Sequence, residues 1–558
     1  MLLSHSLQYG QCFTATQHTS VRSVLTTTRL QRTVPWSSGA TTAALRSTAT
    51  PKLSSAVEPS PNTEQTGEED TSENEMNDKP TKKKTFWQLD ELDKTILGTA
   101  VPSMINNAVV PLVNSVDTFW VGRMGIALAL AGQTAANNAF FTLYFLVAFL
   151  PTITAPLVAE AVGSGDKEAA QDRVCESLFL CNLLGSLGML LLVGFPRASL
   201  RMVLSDTAPA MEYAAPYLRL RGLSMIPALM SATGFAAYRG LLNTVTPLKV
   251  SLMTNLLNLV LDPLLIFNLS MGFRGAALAT AGAELLSGII YFRLLLKKRL
   301  ATWGRMVRPP SWKSLWPILQ GGFSVLMRQA VLNTSFVLAA RRAQALDPSG
   351  VTAAAYGIVM QLYSVGIVVH VAMQGAAAAL VSSTRSKAGD NEARSVANRM
   401  FSWGSLVGLI LGVSQFLALP VLVPLFSTLP EVQKAVRLPA MVASLMHIIN
   451  GPVFAGEGTM LGLGCYKDLA LLTAASVSTL AFSIFFTPLG RQLNGILIAK
   501  AIFCAVQGVL VVLHHRRWSP LRVVPPRETN GLATSRRRGL LASLRLRKPR
   551  TNIWKIRA

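Results

Sequence analysis

The chain has 558 residues, of which half are apolar and only 14% are charged; a soluble domain of this length would carry roughly 25% charge, so a water-filled surroundings is excluded for most of it. The net charge of +24 would suit nucleic acid, but the excess lies in the two tails and in alternate loops, not in one patch interleaved with aromatic residues, which argues against that partner. The five cysteines (Cys12, Cys175, Cys181, Cys465, Cys504) are scattered, have no metal-ligand spacing and read as free thiols.

From Met1 to Val57 there is no Asp or Glu, Ser and Thr are abundant, and Arg22, Arg29, Arg32 and Arg46 are spread along the stretch. This is a transit-peptide composition without the long apolar run of a secretory signal, and its Ser/Thr richness favours a plastid over a mitochondrion. Residues 58–90 begin acidic and polar, with Pro59 and Pro61, and are read as a disordered linker; Lys82, Lys83 and Lys84 mark the approach to the membrane.

Twelve apolar segments follow: 95–120, 129–159, 172–195, 209–234, 246–269, 274–296, 314–340, 350–382, 400–425, 433–460, 467–488 and 493–514. All twelve reach the ~20 residues needed to span a bilayer as a helix. Pro102, Pro111, Pro151, Pro227 and Pro263 fall inside them, and such breaks survive in membranes where neighbours or a cavity satisfy the freed backbone groups.

Two carboxylates stand inside these runs, Asp117 in the first and Asp262 in the fifth. A buried charge at that depth costs at least ~2.5 kcal/mol, so it is rarely filler. Asn258 precedes Asp262 by one helical turn and shares its face. Thr280, on the sixth segment, lies about as far from the turn at Gly272 as Asp262 does, roughly 13 Å at ~1.5 Å per residue. That is near the middle of a ~30 Å hydrocarbon core. Two carboxylates, an amide and a hydroxyl at one depth suit a dehydrated cation or a mobile proton.

Basic residues gather after the second, sixth and eighth segments: Lys167 and Arg173, then Lys297, Lys298, Arg299, Arg305 and Arg308, then Arg385, Lys387, Arg394 and Arg399. The opposite loops hold few, such as Arg123, Arg274 and Arg491, so both termini face the basic side. The tail at 518–558 carries many Arg and one acid, Glu528, and suits an anionic leaflet or a solvated extension. An internal echo links the halves: Gly165-Asp166-Lys167-Glu168-Ala169 after Leu157-Val158, and Gly389-Asp390-Asn391-Glu392-Ala393 after Leu380-Val381. Six helices of equal orientation per half imply parallel repeats with the substrate path between them.

The run Asn114-Ser115-Val116-Asp117-Thr118-Phe119-Trp120-Val121-Gly122, the Tyr238-Arg239-Gly240 end of the fourth segment, Thr246-Pro247, Asn258-Leu259-Val260-Leu261-Asp262-Pro263 and Gly272 to Thr280 together resemble the multidrug and toxic compound extrusion (MATE) family, DinF-like branch, whose plant and algal members include plastid proteins. The resemblance covers about residues 90–517. It implies an all-α polytopic membrane protein with twelve transmembrane helices in two six-helix lobes, residues 91–300 and 301–517, that acts as a cation-coupled (H+ or Na+) antiporter. The coupling roles would fall on Asp117, Asn258, Asp262 and Thr280. Arg328, Gln361 and Gln374, with Asn138 in the first lobe, would line the substrate cavity. Many plant relatives have an acid in the eighth helix, where this chain has His370.

Other readings of single residues stand beside these. Asp262 before Pro263 could cap a helix break, and Asn258 and Thr280 could be interhelical hydrogen-bonding groups. Arg328 would pair with a carbonyl or face the cavity. Glu457 between Gly456 and Gly458 reads as the cap of a break, and His370 and His447 read as packed and hydrogen-bonded. A lipid-linked-glycan flippase of similar architecture is the alternative function; it calls for several cavity-lining basic residues, of which Arg328 is the evident one. No acid-rich prenyl-diphosphate motif, His cluster or phosphate loop supports an enzyme. The expected partners are the bilayer and a small amphipathic molecule, with no cofactor beyond the coupling ion. A monomer in a plastid membrane, the inner envelope, is the expected setting.

Overall fold

Asp90 opens the helical body. Its carboxylate accepts from the backbone N–H of Asp93, 2.9 Å, and the Asp93 carboxylate accepts from that of Asp90, 3.2 Å, so two donors at the helix start are satisfied reciprocally. The computed structural model describes residues 90–522 except 205, 206 and 348, and all of these fall in one compact unit. The transit-peptide reading, nearly all of the linker and the tail beyond 522 lie outside the described residues.

Helix α1 runs unbroken over Glu91–Arg123, followed by α2 (Ala127–Val147), α3 (Phe149–Gly163), α4 (Lys167–Gly194), the short α5 (Pro196–Leu200), α6 (Met211–Gly222), α7 (Met225–Gly240), α8 (Val245–Pro263) and α9 (Phe273–Lys297). The second half holds the short α10 (Trp303–Val307), then α11 (Trp312–Ala345), α12 (Val351–Ala388), α13 (Asp390–Phe426), α14 (Pro430–Gly462), α15 (Tyr466–Phe486) and α16 (Leu493–Leu513). No strand occurs among the described residues. All twelve expected spans are present, the second as α2 with α3 and the fourth as α6 with α7. Among the described residues, ten helices or helix pairs are long and apolar enough to cross a membrane. The remaining two spans are α1, whose run is diluted by Asn106, Asn107 and Asp117, and the split fourth span, whose pieces are short.

The prolines explain the breaks. Pro151, Pro227 and Pro247 each sit at the third position of α3, α7 and α8, where the missing N–H would have had no intrahelical partner. Pro263 ends α8, and a π turn over Leu264–Asn268 follows. Pro102 leaves α1 continuous.

The internal echo is one turn built twice. Gly165 and Gly389 have φ of +77° and +90°, which favour glycine, and each reverses the chain between the second and third spans of its half. Asp166 then caps α4 by accepting from the backbone N–H of Ala169, 2.9 Å. In the first half α1 packs on α8, α2 on α6, and α7 on α3, α4 and α9; in the second, α14 packs on α12, α13 and α16, and α15 on α11 and α16. Between the halves, α12 packs on α1 and α3.

Candidate functional site

Asp117 near the end of α1 meets Asn258 and Asp262 on α8 inside the first lobe. The Asn258 amide donates to Asp117 Oδ1 at 2.6 Å and to Asp262 Oδ2 at 3.3 Å. All three are buried, with relative exposures of 7%, 2% and 0% for Asp117, Asn258 and Asp262. The helical spacing of Asn258 and Asp262 sets both on one face, and the packing of α1 on α8 delivers Asp117 to that face. Asp262 Oδ1 and Asn258 Oδ1 are buried without a hydrogen-bond partner. A free carboxylate oxygen and a free amide oxygen beside the Asp117 carboxylate form a donor set that suits a proton or a hard monovalent cation. Asp262 lies one residue inside the end of α8, and its bond to Asn258 runs back along the helix.

Thr280 is not hydrogen-bonded to this cluster. Its hydroxyl donates to the Ala276 carbonyl of its own helix α9, 3.1 Å, and the side chain is half-buried. One turn further on the same face is Glu284, which sequence reading did not single out. It forms a 2.7 Å ion pair with Arg221 of α6, away from hydrogen-bonding alignment, and the Arg221 guanidinium stacks over the Phe140 ring at 4.3 Å.

The second lobe holds a larger polar network around Glu457. Its carboxylate accepts from Arg328 at 2.5 Å, from the Gln374 amide at 2.9 Å and from the Gln507 amide at 2.9 Å. Arg328 Nε also donates to Thr473, 3.3 Å. The reading of Glu457 as the cap of a break is corrected: α14 continues to Gly462, and the carboxylate is the counter-ion of Arg328. Gly458 lies against the Gln374 backbone, so its missing side chain serves close helix packing. His370 and His447 are buried and linked at 3.3 Å, with His447 Nε2 3.0 Å from Gln415 Oε1 and its ring stacked on Tyr363.

A cavity of about 700 Å³ opens beside this network. It is walled by α11, α12, α14 and α16, with Thr142, Phe145 and Leu146 of α2 closing one side. Arg328, Gln361 and Gln374 are among the residues that line it. Asn138 does not; α2 turns that residue toward other packing, and its Oδ1 is buried without a partner. Lys500 lines the cavity, and Arg239 lines a smaller one of about 120 Å³ that shares Phe145, Arg328 and Gln374 with it. Arg328 is therefore one of three basic residues on these walls. Lys500 stands as a lone charge in the twelfth apolar segment, the same signal that marks Asp117 and Asp262, but sequence reading did not single it out.

The lobes are joined on the basic side. Arg399 Nε donates to Asp93 Oδ1 at 2.6 Å, a second guanidinium nitrogen holds Oδ2, and Trp403 Nε1 donates at 2.7 Å. Asp93 stands just before the first span, and the hydrogen-bonded Arg399 guanidinium holds its carboxyl well below the usual carboxylate range. Ser382 donates to the Pro156 carbonyl at 2.7 Å, and Gly163 lies directly on the Ser383 backbone. The large cavity extends instead to Gly350, Ser427 and Leu429, in loops of the opposite face. This arrangement is closed at the basic side and reaches outward. At the basic side, Cys465, Asp468 and His514 also hold their donor atoms within 4.8 Å of one another, a grouping that the sequence spacing did not reveal.

Residues 102–264 match the MatE family model. The chain is 25% identical over 442 residues to DNA damage-inducible protein F of Escherichia coli (strain K12), covering 76% of this chain and 93% of that protein. It is 27% identical over 385 residues to Protein DETOXIFICATION 44, chloroplastic, of Arabidopsis thaliana, covering 66% and 71%. Among solved structures, one described as MATE in the bent conformation aligns with a TM-score of 0.69 at 20% identity, covering 76% of this chain and 95% of that one. Another, described as the outward-facing conformation of a multidrug resistance MATE family transporter, aligns with a TM-score of 0.68 at 20% identity, covering 76% and 96%. These likenesses carry the fold.

Proposed function

We propose that this MATE-family membrane transporter is an antiporter in which a cation, H+ or Na+, entering at Asp117, Asn258 and Asp262 drives export of a small amphipathic molecule across a plastid membrane, the inner envelope. The observation that carries the reading is the Asp117–Asn258–Asp262 cluster, buried in the first lobe with two oxygens left over. Two carboxylates bridged by one amide in a dry interior repel each other, so full charge on both is unfavourable until a proton or cation arrives. Neutralisation changes how α1 packs on α8. Pro102 and Pro111 let α1 bend in response, and Thr280 offers a further oxygen from α9.

The two lobes then exchange access to the cavity. The contacts of Asp93 and Ser382 hold the basic side shut in one state and part in the other. The plastid assignment is supported by the acid-free stretch Met1–Val57 and by Arabidopsis relatives whose names carry the word chloroplastic. The test is efflux from proteoliposomes under an imposed pH or Na+ gradient. Gradient-driven efflux by the wild type that is lost in Asp117→Asn and Asp262→Asn supports coupling at this cluster, and the effective gradient names the ion. Full transport by both variants refutes it.

A further inference from the structure

We infer that the second-lobe cavity binds an anionic amphipath, with its acid group seated against the ammonium of Lys500. This deepens the transporter reading and rests on it, because it names the chemical class of the cargo.

Lys500 is 3% exposed and lines the 700 Å³ cavity, a volume typical of sites for drug-sized molecules. Its Nζ lies 4.0 Å from the centroid of the Phe336 ring. Among the described residues no carboxylate comes within 4.0 Å of it. Glu457 is the one acid among the residues lining the cavity, and it is already occupied by Arg328, Gln374 and Gln507. Arg328 and Glu457 cancel, so the lining carries one uncompensated positive charge. The adjoining smaller cavity adds Arg239, whose Nε is buried without an acceptor and which has no carboxylate partner among the described residues.

A buried ammonium held only by an aromatic face is poorly compensated for its lost water. A carboxylate or phosphate entering the cavity would supply the missing charge and the charge-assisted hydrogen bonds. An organic cation there would meet Lys500 with no free acid to offset it. Phe336, Phe454 and Phe503 offer apolar surface for the rest of the molecule. The acid group could belong to a soluble organic acid or to a lipid headgroup, since both present the same anionic oxygens.

The experiment measures binding of 1-naphthoate and of its cationic counterpart 1-naphthylmethylammonium to the purified full chain in nanodiscs of zwitterionic lipid, with no gradient. Naphthoate should bind at least about tenfold more tightly than the amine; Lys500→Gln should lose about tenfold in naphthoate affinity, and Lys500→Arg should retain it. The inference is overturned if the amine binds as tightly, if neither probe binds, or if Lys500→Gln leaves naphthoate affinity unchanged. The comparison of probes on the wild type stands even where a Lys500 variant fails to fold. Adding phosphatidylglycerol to the discs assigns the source: displacement of naphthoate supports the acid site and assigns a headgroup, and persistence supports it and assigns a soluble acid. Binding is read without coupling, so loss of gradient-driven efflux in Asp117→Asn or its survival there leaves this result independent.

Discussion

Replacing Glu457 by Gln keeps the shape of the side chain and removes its charge. The Arg328 guanidinium, now 2.5 Å from a carboxylate oxygen, is then left buried at 9% exposure with Thr473 as its remaining polar partner outside the substituted residue. Removing one member of a buried pair typically costs about 3–5 kcal/mol, because the stranded charge keeps its desolvation penalty. The bonds from Gln374 and Gln507 also lose their ionic acceptor. Neutral side-chain hydrogen bonds in membranes average only about 0.6 kcal/mol, so they recover little. The double variant Arg328→Gln/Glu457→Gln removes both charges and should return to within about 1 kcal/mol of the wild type. The assay is equilibrium unfolding in mixed micelles across the double-mutant cycle. A coupling energy of about 2 kcal/mol or more is expected, and a value under about 0.5 kcal/mol would refute the argument that the two charges hold one another.

Four further outcomes are expected. Asp117→Asn and Asp262→Asn should insert and fold yet lose gradient-driven efflux, since an isosteric swap removes charge exchange and leaves packing; tracer efflux with a parallel folding check reads this. Asp93→Asn should loosen the basic side, raising labelling of a cysteine introduced at Ser383 by a membrane-impermeant reagent. Because Arg399 depresses the Asp93 carboxyl, its stabilisation is fully present above the unfolded carboxylate value of 3.8 and is lost as pH falls below it, so Asp93→Asn should flatten that part of the stability–pH curve. A fluorescent protein fused after residues 1–80 should enter plastids; uniform cytosolic signal would rule out the transit reading, and a mitochondrial signal would redirect it.

Asp117, Asn258 and Asp262 could be singled out from sequence because polar groups stand out in apolar runs and are expensive there. The twelve spans and the turn repeated at Gly165 and Gly389 were legible for a similar reason: hydrocarbon thickness and left-handed backbone each leave a local signature. Glu457 misled the reading. Its flanking glycines suggested a break, whereas they allow helices to approach closely while the carboxylate meets an arginine from another helix. Thr280 lies about as far along the chain from the turn at Gly272 as Asp262 does but bonds to its own helix, since position along a span does not set rotation about its axis. Sequence by itself determined which segments are long and apolar enough to span a membrane and their order, because burial in hydrocarbon constrains each segment separately. Tertiary structure alone decided that Asp117 meets Asn258, that Arg328 is neutralised by Glu457 and that Lys500 is not neutralised, because charge compensation depends on distances between helices remote in the chain.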